Sequence, residues 1–168
     1  MISESNVTQI SNLLGTLEPG WLPQPIFDAV TRLVVTPTYV AVPLFVDSGK
    51  PKVVLTRRSE DDPYYPGMLH PPGTVILATD KDLDATFQRL LQTELRGIVP
   101  LSEPIFTSHF FTSIVRGQEI ALVHFLVVEN PGENATCFAA DALPHDVIET
   151  DKPRIAAAVA AYSTEISC

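Results

Sequence analysis

The chain has 168 residues, 45% hydrophobic and 18% charged, which is enough apolar material for one domain with a core and argues against a disordered chain. Fifteen prolines cut it into short elements, which disfavours a coiled coil or a simple bundle of long helices. Eleven basic residues against 20 acidic ones give a formal net charge of −9; this argues against a general DNA or RNA binder and against an anionic membrane surface, yet leaves room for one small phosphorylated ligand in a locally basic cleft.

At the N-terminus, Val7, Ile10, Leu14 and Leu17 recur at helical spacing and predict an amphipathic helix over 3–17. Gly20 and Pro23 break it, and Pro25 opens a second helical pattern through Ile26, Val30, Leu33 and Val34. The start lacks the basic region and apolar run of a signal peptide, and no apolar stretch is long enough to span a bilayer, so the expected compartment is cytoplasmic. Tyr39–Val46 and Lys52–Arg57 are rich in β-branched and apolar residues and flank Asp47-Ser48-Gly49-Lys50, which predicts a hairpin. Residues 59–72 form a Pro/Gly-rich loop carrying Tyr64 and Tyr65. Asp82–Arg96 is the clearest helix. Ile105–Val115 and Gln118–Glu129 form a second expected hairpin around Arg116-Gly117, and Pro153–Tyr162 an alanine-rich last helix. Cys137 and Cys168 have no metal-like or redox-like spacing. This order predicts an α+β domain, with a mixed β-sheet packed between helices and an N-terminal helical extension over residues 1–36 ahead of a domain at 37–168.

On a helical wheel, Leu83, Phe87, Leu90 and Leu91 fall on one stripe, and Glu94 projects from its middle, one turn beyond Leu90. A carboxylate on a face meant for burial needs a partner, a cation or an opening to water.

The loop before this helix, Pro66-Gly67-Met68-Leu69-His70-Pro71-Pro72-Gly73, resembles the loop that precedes the box of the Nudix superfamily, hydrolases of nucleoside diphosphates linked to another moiety. Leu83, Arg89, Leu91, Glu94, Gly97 and Ile98 are similar to the box helix, and Phe138–Pro144 followed by a helix is similar to the usual end of these domains. The resemblance covers about residues 37–163. It implies a Nudix-like fold and a site for Mg²⁺ or Mn²⁺ on converging box carboxylates. The departures fall on that site. Asp80 stands where the box has its first glutamate, Leu90 and Thr93 replace two later ones, and each half of the box helix is one residue longer than the pattern. Carboxylates at i, i+3 and i+4 converge on one spot, so replacing two of three lowers the local charge and with it the affinity for Mg²⁺.

Glu94 is therefore the candidate catalytic residue and surviving metal ligand, with Asp80, Glu129 and Glu133 as acids able to complete the set. Arg57, Arg58, His70 and Arg89 are the candidates for binding an anionic substrate, although strand-end arginines also serve solubility and a loop histidine is often only structural. The expected function is a weak or inactive hydrolase that binds a nucleotide-like small molecule. The alternative is an active Mg-dependent pyrophosphohydrolase using Glu94 and acids from outside the box. The extension must cover its apolar faces, either on its own domain or in a homodimer.

Overall fold

The computed structural model describes residues 2–132 and 135–165. Its elements run α1 (Glu4–Leu14), α2 (Gln24–Thr31), β1 (Thr36–Asp47), β2 (Lys50–Arg57), β3 (Leu69–His70), β4 (Gly73–Val75), α3 (Leu83–Thr93), β5 (Ile105–Ile114), β6 (Gly117–Val128), β7 (Ala135–Ala139) and α4 (Lys152–Glu165), the last entered through a 3-10 turn at Glu149–Asp151. This is the mixed-sheet α+β architecture expected from the sequence.

Both predicted hairpins form. β1 and β2 pair antiparallel from Leu44↔Val53 to Asp47↔Lys50. The two connecting residues, Ser48 and Gly49, have φ of 52° and 79°, the positive values a tight two-residue hairpin turn needs. β5 and β6 pair antiparallel from Ile105↔Phe125 to Ile114↔Gly117. The sheet is ordered β3-β2-β1-β6-β5, with β4 also on β1 and β7 also on β2. Its central pair, β1 with β6, is parallel over Thr36–Phe45 and Glu119–Val128.

The sheet is buried on both faces because its inner strands are apolar at successive positions. Val40, Val42, Leu44, Val53, Leu55, Ala121, Val123 and Phe125 point to one face and pack with Ile155, Ala158 and Tyr162 of α4. Tyr39, Ala41, Val54, Leu126 and Val128 point to the other and pack with Phe87 and Leu90 of α3 and with Leu95 and Ile98 beyond it. Period-2 alternation thus assigns each strand residue to one helix layer or the other.

Two expectations are revised. α3 ends at Thr93 rather than Arg96, and the chain turns away through Gly97 at φ 77°. Glu94 caps that end instead of lying within the apolar stripe. In α1 no residue is buried: Val7, Ile10 and Leu14 stay exposed on the described chain. α2 does dock. Tyr64 donates to Asp28 and accepts from Gln24, and the backbone at Thr31 comes so close to Gly117 that a Cβ there would lie 2.6 Å from the Thr31 carbonyl oxygen. Gly117 also has φ 133°, so the position suits only glycine. No helix among the described residues is long and apolar enough to cross a membrane.

Candidate functional site

The loop from β2 to β4 folds over the sheet next to the C-terminal end of α3 and opens a cleft with two lobes. The first, about 360 Å³, lies between the end of β2 and the residues around Gly132. The second, about 350 Å³, lies where β1, β6 and α4 begin, and the stretch Trp21–Phe27 forms part of its wall. Arg58, His70, Thr93 and Glu94 line both lobes and mark their junction.

Glu94 reaches this junction because α3 stops one residue before it. Its carboxylate accepts from the Gly73 N–H at 3.1 Å. Crowding by protein raises its pKa, opposed by that N–H and by the positive charge of Arg58. Thr93, exposed at its side, turns its hydroxyl back to the Arg89 carbonyl at 3.0 Å and the Leu90 carbonyl at 3.3 Å. Leu90 is 0% exposed and belongs to the core beneath the helix. Of the three box positions on the helix, one acid therefore borders the cleft, one hydroxyl is occupied by the backbone, and one side chain is apolar packing.

His70 is buried and held at both ring nitrogens, Nδ1 by the Pro71 carbonyl at 2.8 Å and Nε2 by the Thr56 hydroxyl at 3.3 Å. A carbonyl can only accept, so the ring proton sits on Nδ1 and Nε2 accepts. Burial, reinforced by Arg58, lowers the His70 pKa to about 4, so the ring is neutral near pH 7. Arg58 pairs with Asp62 at 2.6 Å and lies 5.8 Å over the ring of Tyr65. Arg57 lines the first lobe, pairs with Asp146 at 2.8 Å and donates to the Gly67 carbonyl.

Arg89 borders the second lobe and its guanidinium is engaged at all three nitrogens. It donates to both Asp80 oxygens at 3.0 and 2.6 Å, to Thr74 Oγ1 at 2.8 Å and to the Val75 carbonyl at 2.8 Å. Asp80 also accepts from the Leu77 N–H and the Thr86 hydroxyl, and the Arg89 hydrogen bonds above all hold its pKa down at about 2. This pair locks the loop at residues 74–80 to α3. Glu129 is exposed and borders neither lobe; Glu133 lies outside the described residues.

A divalent ion of the Mg²⁺ or Mn²⁺ kind needs several oxygen ligands converging from separate groups. Among the described residues no three His, Cys, Asp or Glu side chains are grouped to hold a metal ion. Asp80 is saturated by Arg89, Thr86 and the backbone. The described residues do not fit such a centre.

The second lobe holds what sequence reasoning did not find. Its floor contains the buried side chains Glu119, Asp151 and Arg154. Arg154 Nη1 donates to Asp151 at 2.9 Å and Nη2 donates to Glu119, which also faces Arg116 at 3.6 Å. Burial pushes the Asp151 carboxyl up to about 6, with Glu119 adding repulsion against the attraction of Arg154. At the rim, Arg89 lies 5.7 Å over Trp21, and Arg116 lies 5.4 Å over Phe27 and 5.5 Å over Tyr64. Glu119 and Arg154 are 35 positions apart and carry no motif. The available signal was the charge of Glu119 in a mostly apolar strand and of Arg154 in an alanine-rich helix.

A mixed sheet clamped between α3 and α4, with the Pro66–Gly73 loop leading into α3, is the Nudix fold. The chain is similar to a mutT/nudix family protein from Listeria innocua, at 19% identity and a TM-score of 0.62 over 78% of this chain and 96% of that one. It is similar to the NUDIX domain of Shewanella oneidensis NrtR complexed with ADP ribose, at 18% identity and a TM-score of 0.59 over 97% and 99%. It is also similar to a C. elegans Ap4A hydrolase, at 10% identity and a TM-score of 0.58 over 79% and 99%. At these identities the likeness establishes the fold. No protein-family model matches the sequence, and no curated protein matches it either.

Proposed function

We propose that the cleft binds a nucleotide-like small molecule without a metal ion and that the protein is a weak or inactive hydrolase. The observation that carries this reading is the fate of the three box positions on α3. Leu90 is in the core, Thr93 bonds its own helix, and Glu94 is the one of the three that keeps its acid, at the junction of two lobes bordered by Arg57, Arg58, Arg89, Arg116 and Arg154. Arginine guanidinium groups bind phosphoryl oxygens directly, so anion recognition does not require the lost acids. The paired lobes, each of small-ligand size, suit a ligand with two ends on either side of Glu94. The ADP-ribose complex of the Shewanella neighbour supplies the first compound to try.

The test is isothermal titration calorimetry with ADP-ribose in EDTA, repeated with Mg²⁺ and Mn²⁺, alongside an assay of ADP-ribose cleavage. The expected result is saturable binding of equal affinity in EDTA and in metal, with cleavage at the background rate. Binding that needs metal, with metal-dependent turnover, would replace this reading by that of an active pyrophosphohydrolase drawing acids from outside the box.

A further inference from the structure

We propose that the uncovered half of the sheet, on β5 and β6, receives helix α1 of a second copy of this chain, and that two copies exchange these helices reciprocally. The proposal stands apart from the cleft and from what the cleft binds.

The strand register defines the surface. Phe106 lies opposite His124, His109 opposite Leu122 and Phe111 opposite Ile120. Residues directly opposite one another across a ladder share a face. The His124 ring stacks on Tyr39 with centroids 4.2 Å apart, and Tyr39 packs against Phe87 of α3, so this is the α3 side of the sheet. α3 covers only part of that side. Among the described residues the core beneath it holds no residue of β5 and, from β6, only Leu126 and Val128. Phe106 and Phe111 are left 55% and 64% exposed, and Ile120 and Leu122 are half-buried. β5 is also the last strand of the sheet. Edge strands of monomers are commonly blunted by charged residues or proline, and β5, IFTSHFFTSI, has no Lys, Arg, Asp, Glu or Pro.

The same chain carries the complementary element. Val7, Ile10, Leu13 and Leu14 form one apolar stripe along α1, each 46–61% exposed, and no α1 residue is buried. A lone helix of 11 residues is marginal in water, so the stripe calls for a partner. Its length of about 16 Å matches the roughly 20 Å of strand between Gln118 and His124. α2 is docked at Tyr64 and Gly117, and residues 15–23, which can span up to about 30 Å, leave α1 free to act as an arm.

Charge and area select the occupant. At a net charge of −9 two copies repel over most of their surface, yet the β5 edge is uncharged and α1 carries only Glu4. The lack of Lys and Arg on both elements disfavours a membrane surface. Each copy offers six apolar side chains that are about half exposed, four on the helix and two phenylalanines on the sheet. At about 100 Å² apiece they supply most of the roughly 800 Å² per partner that a standard interface buries. A reciprocal exchange uses every one of them and closes with twofold symmetry.

The experiment measures the mass of the full-length protein by light scattering after size exclusion, over a range of loading concentrations. Ile10→Asp alters the helix stripe and Phe111→Asp the sheet. Val99→Asp changes another exposed apolar residue, beside Glu129 past the far end of β6, and serves as the control. Circular dichroism checks each fold. The parent is expected to reach twice 18.3 kDa, and each of the two interface variants to weaken the dimer at least about tenfold, with Val99→Asp unchanged. An equal mixture of Ile10→Asp and Phe111→Asp should regain dimer, because the helix of the second is intact for the sheet of the first. A parent that stays monomeric at every concentration would overturn the proposal, and hydrogen exchange showing α1 protected in that monomer would place the helix on its own sheet. A dimer that survives Ile10→Asp would mean direct pairing of edge strands, and one that survives Phe111→Asp would mean pairing of helices; either overturns the exchange. So does a mixture that remains monomeric.

Discussion

Putting acids back at the box positions should fail at Leu90 and succeed at Thr93. Leu90 is completely buried among Tyr39, Phe87, Leu95 and Leu126, whereas the neighbouring Thr93 is exposed. Leu90→Glu forfeits about 1.5–3 kcal/mol of apolar burial. Keeping its carboxyl neutral in that core at about pH 7.5 costs roughly a further 4 kcal/mol against its ordinary pKa. Domains of this kind have only about 5–15 kcal/mol to lose, so Leu90→Glu is expected to be largely unfolded or close to it. Thr93→Glu should lie within about 0.5 kcal/mol of the parent. The assay is urea unfolding followed by far-UV circular dichroism, at about pH 5 and pH 7.5, each with and without Mn²⁺. The Leu90→Glu defect should be smaller at the lower pH, where the buried carboxyl is neutral at less cost. Mn²⁺ should rescue neither it nor the variant that combines Leu90→Glu with Thr93→Glu. A Leu90→Glu protein that folds within about 1 kcal/mol of the parent and is stabilised by Mn²⁺ would show that this side chain reaches the cleft, and the metal-free reading would fall.

Asp80→Asn should cost about 1–3 kcal/mol, because Arg89 loses the two-oxygen acceptor that holds it to the loop at 74–80. Asp80 has its pKa lowered to about 2, so its contribution is fully present above about pH 4 and is lost as pH falls toward 2; chemical denaturation across that window should show a shallower acid loss in the variant. Gly117→Ala should destabilise the protein and displace α2, since its Cβ would strike the Thr31 carbonyl and its φ of 133° disfavours a side chain; a red shift of Trp21 emission together with a lower Tm would report it. Sulfate, whose charge is constant, should bind the second lobe more weakly as pH rises past about 6. Asp151, facing Arg154, Glu119 and Arg58, is then ionised and repels the anion; Asp151→Asn should flatten the profile, and an unchanged slope would exclude this carboxyl as its source.

The fold was readable because its signals are local. The Ser48-Gly49 turn, the β-branched and apolar runs in β1 and β2, and the Leu83–Leu91 stripe each need only neighbouring residues, and together they predict a sheet between helices. The junction of the cleft was half readable. His70, Arg58 and Glu94 were found through the loop and helix pattern, but the wheel placed Glu94 in the stripe because the early stop of α3 at Thr93 depends on the turn through Gly97. Arg89 and Asp80 were found as candidates, yet their pairing is a tertiary fact that periodicity does not carry. The floor was not readable at all. Glu119, Asp151 and Arg154 meet only because the parallel β1–β6 pair brings the start of β6 under the first turn of α4, and no spacing rule encodes that approach.

The second lobe draws Trp21 and Gln24 from one end of the chain and Asp151 and Arg154 from the other. During synthesis at about 5–20 residues per second, Trp21 emerges on the order of 10 s before its counterparts on α4. For most of that interval α2 has neither Arg116 nor the Gly117 surface to rest on, and β1 lacks its long parallel partner β6. The site is therefore among the last parts of the molecule to exist. An early stop anywhere between the two ends removes the lobe even where much of the sheet could still pair.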